Sequence, residues 1–301
     1  AVKLKAGTRM LDDNGETILT TSTDQQWLVY AQKDGAYGVE LQGRIVWVDS
    51  AQVEETIVRP GSAGPAATSL PVLMYHHLVE DGQDCNDMTV TPSKLRSDLE
   101  TILALGYTPV LPRELAAGGP LPEKPILITF DDGYRSNYKL LYPILQEYNV
   151  KACISIIVLM PDLPADNFCF WSELQEMTDS GLVEIGSHSY RLHNLGEDSG
   201  NYDAQGANGV ERRAGESDVD FKARVLDDIQ LSHDRIVEKL GGVTCFAYPF
   251  GCSDPDAKAL VDALFPVSLM TTPRCADLAD GLHDLPRYTV TMKTDLTKLL
   301  K

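Results

Sequence analysis

The sequence predicts an α/β domain preceded by a small all-β module. Residues 1–58 contain short runs in which apolar and polar residues alternate, as they do in antiparallel strands. From residue 70 onward, short apolar runs that favour strands alternate with patterns of helical period. The length of 301 residues leaves room for one sizeable core and a smaller accessory domain. We therefore expect two domains joined by a linker.

The first domain, residues 1–58, is predicted to be a small antiparallel barrel or sandwich. Turn sequences such as Asp-Asn-Gly and Lys-Asp-Gly separate its strand patterns and are typical of hairpins. The stretch WLVYAQKDGAYGVELQGRIVWVDSAQV resembles the bacterial SH3-like module found on many cell-wall proteins. That resemblance implies an SH3-like barrel. Core packing is favoured over a sugar- or peptide-stacking face for its aromatic residues, Trp27, Tyr30, Tyr37 and Trp47.

The linker is assigned to residues 59–69, RPGSAGPAATS, because Pro, Gly, Ala and Ser dominate this segment. The second domain then covers residues 70–301. Its strand-like runs include PVLMYH, PILITF and ACISIIVL, and helical patterns such as PSKLRSDLETILALG lie between them. Alternating strands and helices predict a parallel sheet or barrel whose functional loops lie at the carboxyl ends of the strands.

The net charge of -18 argues against a polyanion such as nucleic acid as the main partner, since no basic stripe offsets the repulsion. A neutral or cationic partner fits better. No apolar run approaches the roughly 20 residues needed to span a bilayer. The first ten residues, AVKLKAGTRM, lack the apolar segment of a signal peptide, so any leader is expected to be absent from this chain.

The six cysteines are dispersed and form no C-x-x-C pair, so they indicate no metal site and no compartment. Cys245 and Cys252 bracket the run FAYPFG and are close enough in sequence to pair in an oxidising space. Buried or idle thiols remain the favoured interpretation for all six.

Two adjacent carboxylates, Asp131 and Asp132, follow the apolar run PILITF and precede Gly133. The pair is thus placed at the end of a buried strand, where the glycine allows a sharp turn. Neighbouring anions repel each other. A cation bound by one carboxylate relieves the repulsion while the other stays free to take a proton. Taken alone, Asp-Asp-Gly is equally typical of a turn or a helix N-cap.

Two histidines favour the catalytic interpretation of this pair. His188 follows the strand pattern LVEIGS, and His193 comes five residues later. Two imidazoles with a nearby carboxylate are a common ligand set for a catalytic divalent metal such as zinc, with positions left open for water and substrate. Because a spacing of five is not the same-face spacing of a helix, a loop must fold back to bring the two rings together.

The runs TFDDGY, GSHSYRLH and FAYPFG, with PVLMYHHL upstream and LPRY downstream, resemble the polysaccharide deacetylase (NodB-homology) domains of carbohydrate esterase family four. The resemblance extends over residues 70–301. It implies a distorted (β/α) barrel with one divalent metal ion, zinc by default. It also implies that the chain removes acetyl groups from an N-acetylated polysaccharide, in an extracellular or cell-envelope location.

Residue by residue, the resemblance makes Asp131 the general base, Asp132 the metal-ligating aspartate, and His188 and His193 the histidine ligands. These roles are chemically consistent, because a bound cation polarises the acetyl carbonyl while Asp131 takes a proton from the attacking water. The family's second oxyanion donor, a backbone N–H, falls on Phe250.

The sequence departs from the family pattern in three places. The histidines are five apart instead of four, which resembles the branch acting on poly-N-acetylglucosamine exopolysaccharide. Ala247 replaces the usual arginine, so Arg287 in LPRY is the candidate for orienting Asp131, with a surface ion pair as the equal alternative. The late Asp-Trp and Leu-x-His motifs, which supply the acid and the acetyl-methyl pocket, are not evident.

The missing acid is expected at the start of the second domain. There the run Leu-Met-Tyr-His resembles the late motif moved to the front, as a circular permutation of a closed barrel would do. His76 is then the general acid, and His77 points to the opposite side of the strand. His77 and His283 are the alternative donors, and a packing role is the alternative for His76.

The sequence therefore predicts hydrolysis of N-acetyl groups on a β-linked N-acetylglucosamine polymer. The SH3-like resemblance slightly favours peptidoglycan, a cell-wall glycan, and the histidine spacing makes exopolysaccharide the next choice. Two other functions stay open, namely an O-acetyl xylan-type esterase on the same fold and a non-catalytic cell-wall-binding protein.

Overall fold

A computed structural model describes residues 2–12, 14–22, 25–27, 29–33, 35–41, 44–56, 67–163, 166–193, 209–251 and 254–300. The chain separates into two compact units. The first comprises Ala1–Ala66 and Ala117–Glu123, and the second comprises Ala67–Ala116 and Lys124–Lys301.

The first unit is built from short antiparallel strands. They are β1 Val2–Leu4, β2 Arg9–Leu11, β3 Thr17–Thr20, β4 Gln25–Trp27, β5 Val29–Lys33, β6 Ala36–Leu41, β7 Arg44–Asp49 and β8 Val53–Thr56. A three-stranded sheet has the order β4-β1-β8, and a five-stranded sheet has the order β3-β2-β7-β6-β5. Among the described residues, the buried apolar cluster of this unit comprises Val2, Leu4, Met10, Val39, Val46 and Val48. The SH3-like assignment stays a prediction.

The four aromatic residues expected to pack in this module are only partly described. Tyr37 packs against the buried cluster, as core packing requires. Trp47 is half-buried, and the Lys33 ammonium lies 3.7 Å from the centre of its ring. The side chains of Trp27 and Tyr30 lie outside the described residues.

The second unit contains the remaining strands. They are β9 Ser69–Leu70, β10 Val72–Tyr75, β11 His77–Leu78, β12 Thr89–Val90, β13 Thr108–Val110, β14 Pro125–Asp132, β15 Ala152–Ile156, β16 Val183–Ser187, β17 Cys245–Ala247, β18 Val267–Leu269, β19 Ala276–Asp277 and β20 Tyr288–Thr289. Its main sheet has eight strands in the order β18-β17-β16-β15-β14-β10-β20, with β13 also paired to β14. All these pairings are parallel. The predicted α/β class and distorted (β/α) barrel are confirmed.

Helices connect the strands of this sheet. They are α1 Pro92–Ala104, α2 Pro112–Ala116, α3 Tyr142–Tyr148, α4 Leu159–Asp162, α5 Trp171–Asp179, α6 Asp218–Leu240, α7 Pro255–Leu264 and α8 Leu296–Leu299. The longest, α6, begins where the Ser217 side chain accepts a hydrogen bond from the Asp220 amide, and it ends at Gly241 with φ 87°. Within the described ranges, no helix combines the length and apolar character needed to cross a membrane.

The core of the second unit lies between the parallel sheet and these helices. Every residue of β14 is buried, as is every residue of β15 and β16. Strands covered on both faces read as continuous apolar runs, which explains the pattern of PILITF and ACISI. Polar side chains that follow such strands therefore meet at the carboxyl edge of the sheet.

The thiols described by the structure are unpaired. Cys153 and Cys245 are free and buried in neighbouring parts of the sheet. Cys252 lies outside the described residues, so the pairing of Cys245 with Cys252 is not addressed by the structure.

Glu184, near the start of β16, is a buried carboxyl group away from the carboxyl end of the strand. It is 5% exposed, and its Oε2 accepts a hydrogen bond from the Arg113 amide at 2.9 Å. Burial raises the pKa of Glu184 from 4.5 to about 7, so the folded protein holds its proton more tightly than the unfolded chain does. This group therefore destabilises the fold progressively as the pH rises from about 4.5 to about 7.

We expect Glu184→Gln to be more stabilising at pH 8 than at pH 5. Glutamine still accepts a hydrogen bond from the Arg113 N–H, and it removes the charge that Glu184 carries at the higher pH. The stabilisation at pH 8 should exceed that at pH 5 by roughly 2 kcal/mol. Urea unfolding of variant and wild type at both pH values measures this difference. An identical change at both pH values would show that the charge of Glu184 is not the cause.

Candidate active site

The two adjacent aspartates lie where β14 ends. Asp131 pairs in register with Ser155 of β15, and Asp132 adopts a left-handed backbone conformation with φ 74°. Gly133 follows with φ 79°, and a Cβ atom there would lie 2.7 Å from Ile156 Cγ2. No larger residue fits at Gly133, so the chain turns sharply and both carboxylates stay at the edge of the sheet.

Arg287 forms a bidentate ion pair with Asp131. Its Nη1 and Nη2 atoms donate to Asp131 Oδ1 and Oδ2, each at 2.7 Å. The guanidinium also donates to the Met270 carbonyl at 2.8 Å and to Thr129 Oγ1 at 3.1 Å. Arg287 is 0% exposed and Asp131 is 2% exposed, so this pair lies in the interior and is not a surface ion pair.

The environment keeps Asp131 ionised. Burial by itself would raise the pKa of Asp131, because it disfavours the charged carboxylate. The Arg287 guanidinium outweighs this effect and holds the pKa of Asp131 well below its usual range. Asp131 is therefore a fixed anion with both oxygens oriented by one guanidinium.

His188 follows β16, and its ring is fixed by a backbone carbonyl. Its Nδ1 lies 2.7 Å from the oxygen of Ala247. Because a carbonyl oxygen only accepts, Nδ1 carries the hydrogen, and the lone pair of the neutral ring is on Nε2. Burial lowers the pKa of His188 to about 3, so the ring is neutral. Ala247 thus orients His188 through its backbone, which the sequence did not indicate.

His193 lies beside His188 and follows it by five residues, in the loop after β16. The rings of His188 and His193 lie 4.9 Å apart. Their Nε2 atoms lie 3.6 Å and 3.3 Å from Asp132 Oδ1, respectively. Burial also lowers the pKa of His193. Because both imidazoles are neutral, their contacts with Asp132 are not ion pairs. The Nε2 atoms of the two histidines and Oδ1 of Asp132 instead lie close together around one point.

This arrangement fits a divalent metal ion. One ligand atom each from Asp132, His188 and His193 lies within 4.8 Å of the others. Asp132 Oδ1 is buried and lacks a hydrogen-bond partner among the described residues. Burial raises the pKa of Asp132 to about 6, which a bound cation would reverse. Two neutral imidazoles and one carboxylate are also a familiar donor set for catalytic metals.

His76 and His77 occupy different surroundings, and His283 lies elsewhere. His76 is half-buried just after β10, where Tyr75 pairs in register with Phe130, the residue before Asp131. His77 instead places Nδ1 2.8 Å from Ser136 Oγ, with its ring 4.7 Å from that of Tyr134. His283 pairs through Nδ1 with Asp262 of α7 at 2.9 Å. The register of β10 and β14 thus places His76 beside the aspartate pair.

Phe250 lies in a constrained turn after β17. Its backbone is left-handed, with φ 57°, and its ring centre is 4.3 Å from that of His193. Gly251 follows with φ 70°, and a Cβ atom there would lie 1.9 Å from Thr271 Oγ1, so only glycine is accommodated. Phe250 is 37% exposed beside His193. The turn therefore places the ring of Phe250 next to His193.

Two residues near the site were not anticipated from the sequence. Burial, together with the neighbouring Asp132 carboxylate, raises the pKa of Tyr134 to about 12, which keeps Tyr134 a neutral phenol. Asp228 of α6 accepts hydrogen bonds from backbone amides of the loop between the histidines. The signal for Asp228 was its position on the apolar face of a helix, between Val225 and Ile229.

Residues 118–264 match the family model described as polysaccharide deacetylase. This match includes the aspartate pair, both histidines and the turn at Phe250. Poly-beta-1,6-N-acetyl-D-glucosamine N-deacetylase of Escherichia coli strain K12 is 34% identical over an alignment of 138 residues, which covers 40% of this chain and 20% of that protein. The chain thus spans about a fifth of the length of this relative.

Two solved structures are similar in fold. A de-N-acetylase from Aggregatibacter actinomycetemcomitans has a TM-score of 0.66 at 23% identity, over 77% of this chain and 99% of that chain. The deacetylase domain of BpsB from Bordetella bronchiseptica has a TM-score of 0.61 at 27% identity, over 75% of this chain and 98% of that chain. The shared region corresponds to about three quarters of the chain.

Proposed function

Since this chain carries a polysaccharide deacetylase domain of carbohydrate esterase family four, we propose that it hydrolyses N-acetyl groups of an extracellular β-linked N-acetylglucosamine polymer. The observation that carries the proposal is the Asp132, His188 and His193 cluster beside an Asp131 carboxylate fixed by Arg287. A metal site next to an oriented, ionised carboxylate suits attack of water on an acetyl carbonyl.

Poly-β-1,6-linked N-acetylglucosamine is the substrate that we favour. The 34% identity to the Escherichia coli deacetylase supports it, and so does the five-residue spacing of His188 and His193. The sequence alone slightly favoured peptidoglycan, because of the SH3-like resemblance of residues 1–58. Peptidoglycan is the second candidate, with the first unit then serving to hold the enzyme on the cell wall.

Asp132, His188 and His193 would hold the metal ion, and we propose zinc, which this combination of nitrogen and oxygen donors suits. When bound, a divalent cation polarises the acetyl carbonyl and makes the attacking water more acidic. The carbonyl of Ala247 keeps the ligating nitrogen of His188 turned toward Asp132. Burial keeps both imidazoles neutral, as metal ligation requires.

Asp131 is proposed as the general base and Arg287 as the residue that positions it. The bidentate pair leaves the carboxylate one preferred orientation and prevents its protonation before water attacks. In the family, an arginine at the position of Ala247 orients the general base. We propose that Arg287 has this role in the present chain. The backbone N–H of Phe250 is proposed as the donor that stabilises the oxyanion, since its turn lies against His193.

His76 is proposed as the general acid that protonates the leaving amine. Tyr75 and Phe130, the residues directly before His76 and Asp131, pair in register, whereas His77 is turned toward Ser136 and Tyr134. A proton donor is required because an amine is a poor leaving group when it departs as an anion, while an aryl alcohol leaves readily.

We expect His76→Ala to lower N-deacetylation by about 10²–10⁴-fold, the usual contribution of a general acid. Hydrolysis of p-nitrophenyl acetate should fall far less, since its leaving group needs no proton. His77→Ala is the matched control, and both activities should stay within a few-fold of wild type. A parallel loss on both substrates in His76→Ala would indicate a packing role for His76.

The proposed reaction is tested by mass spectrometry of defined glycans incubated with the full chain. Oligomers of β-1,6-linked N-acetylglucosamine, peptidoglycan glycan strands and acetylated xylan are compared under identical conditions. We expect loss of acetyl groups from the β-1,6 oligomers, in a reaction that a chelator stops and added zinc restores. Preferential reaction of peptidoglycan would select the second substrate, and reaction of xylan alone would identify an O-acetyl esterase.

A further inference from the structure

The loop from His188 to His193 makes one tight excursion away from the sheet and back. Ser189 is left-handed, with φ 69°, and its Oγ accepts a hydrogen bond from the Leu192 amide at 3.0 Å. Its carbonyl accepts from the Val158 amide at 3.0 Å. These contacts fix the two limbs of the loop. The amides of Tyr190 and Arg191, at its tip, need acceptors from another element.

A single carboxylate of α6 supplies both acceptors. Asp228 Oδ1 accepts from the Tyr190 amide at 2.8 Å, and Oδ2 accepts from the Arg191 amide at 3.1 Å. Asp228 is only 4% exposed. Placing an aspartate inside an apolar helix face is costly unless its oxygens are hydrogen-bonded, and here both of them contact the histidine loop.

Two further residues on the same face of α6 contact this region. Ser232, four residues after Asp228, lies with its Oγ 2.8 Å from Ser187 Oγ, directly before His188. Arg235, seven residues after Asp228, donates to Asp162 at 2.8 Å. Asp162 in turn accepts from the Tyr190 hydroxyl at 3.2 Å. Residues spaced by four and seven share one helix face. This face of α6 thus contacts the loop directly through Asp228, the end of β16 through Ser232, and Asp162 through Arg235.

We propose that Asp228 is a positioning residue that holds the His188–His193 loop so that both imidazoles face Asp132. The proposal rests on the proposed function, because it assumes that these imidazoles bind a metal ion. With a spacing of five, no helical register brings His193 back to the ligand cluster. Instead, Asp228 accepts two hydrogen bonds from the loop, and these bonds bring His193 to the ligand cluster before any metal binds.

Replacing Asp228 by Asn removes one of the two acceptors. The amide oxygen can accept from one backbone N–H, but the amide nitrogen then faces the other N–H, and two donors repel each other. The loop must move to relieve this contact. Because His193 lies two residues beyond Arg191, a shift at the tip of the loop displaces the imidazole. Residues that orient metal ligands usually contribute 10–100-fold to metal affinity.

The test is a measurement of Zn²⁺ affinity by competition with a chromogenic chelator. We expect Asp228→Asn to bind Zn²⁺ roughly 10–100-fold more weakly than wild type, with an unchanged circular dichroism spectrum. Glu184→Gln is the matched control. Glu184 is also a buried acid that accepts a hydrogen bond from a backbone amide, and it lies on β16, the strand before His188. The amide belongs to Arg113, however, and not to the histidine loop. The control should retain wild-type affinity.

The outcomes separate this inference from the proposed function. If wild type and Glu184→Gln both bind Zn²⁺ and Asp228→Asn binds it equally tightly, the positioning role is wrong. If wild type itself does not bind Zn²⁺, the metal site of the proposed function is wrong. A second measurement needs no variant. In metal-free wild type the amides of Tyr190 and Arg191 should be protected from hydrogen exchange, and rapid exchange of both would overturn the inference.

Discussion

Asp131→Asn is expected to lower kcat for N-deacetylation by about 10²–10⁴-fold while the metal ion remains bound at one equivalent. Asparagine has the same shape as aspartate but cannot take the proton of the attacking water. The proposed metal ligands Asp132, His188 and His193 are unchanged in this variant, so metal binding should persist. Metal analysis and single-turnover kinetics on the same preparation separate the two properties.

The same variant should also lose stability, because Arg287 is completely buried and would lose its counter-charge. Breaking a buried ion pair by removing one partner typically costs about 3–5 kcal/mol. Kinetics must therefore be measured at a temperature where circular dichroism shows the variant folded. Asp132→Asn is the contrasting variant, since it should lose the metal ion as well. Turnover of Asp131→Asn within a few-fold of wild type would remove Asp131 from the proposed mechanism.

His188→Ala and His193→Ala should each abolish stoichiometric metal binding, and with it all measurable deacetylation. Each removes one of two nitrogen donors from a cluster whose third member is a single carboxylate oxygen. The remaining two protein ligands are fewer than the three that catalytic zinc sites generally use. Metal content after dialysis, measured together with acetate release, tests both effects at once.

His283→Ala is a suitable control for these variants, because His283 contacts Asp262 on α7 and should leave the metal content unchanged. If either ligand variant kept one equivalent of metal and full turnover, the assignment of the site would be wrong. Added zinc provides a further check. A partial recovery of activity at high zinc concentration is expected for His193→Ala before His188→Ala, since the His193 side chain is less buried than that of His188.

The parts of the site that lie next to each other in sequence were predictable. Asp131 and Asp132 could be placed because an apolar run with a following glycine marks the end of a buried strand. His188 could be placed in the same way. The carboxyl ends of parallel strands share one edge, so the proximity of these residues follows from the predicted fold.

Contacts between distant parts of the chain were harder to predict. Arg287 could be named as a candidate, but the sequence carries no information on whether its guanidinium is buried or exposed. The carbonyl of Ala247 and the carboxylate of Asp228 act on the histidines through backbone atoms. Such contacts depend on the placement of whole elements. The position of Asp228 on an apolar helix face predicts that its carboxylate is buried, but not which backbone amides it contacts. The alternation of strands and helices nevertheless predicted the parallel sheet.

The ion pair between Asp131 and Arg287 has a consequence for biosynthesis. The two residues are separated by 156 positions in the chain. While the ribosome is still making the segment between them, the aspartate emerges long before its counter-charge. Contacts of such long sequence separation form late in folding. The catalytic edge of a nascent chain therefore stays incomplete until β20 has been synthesised and has docked beside β10, so a chain released early would be inactive even with every metal ligand present.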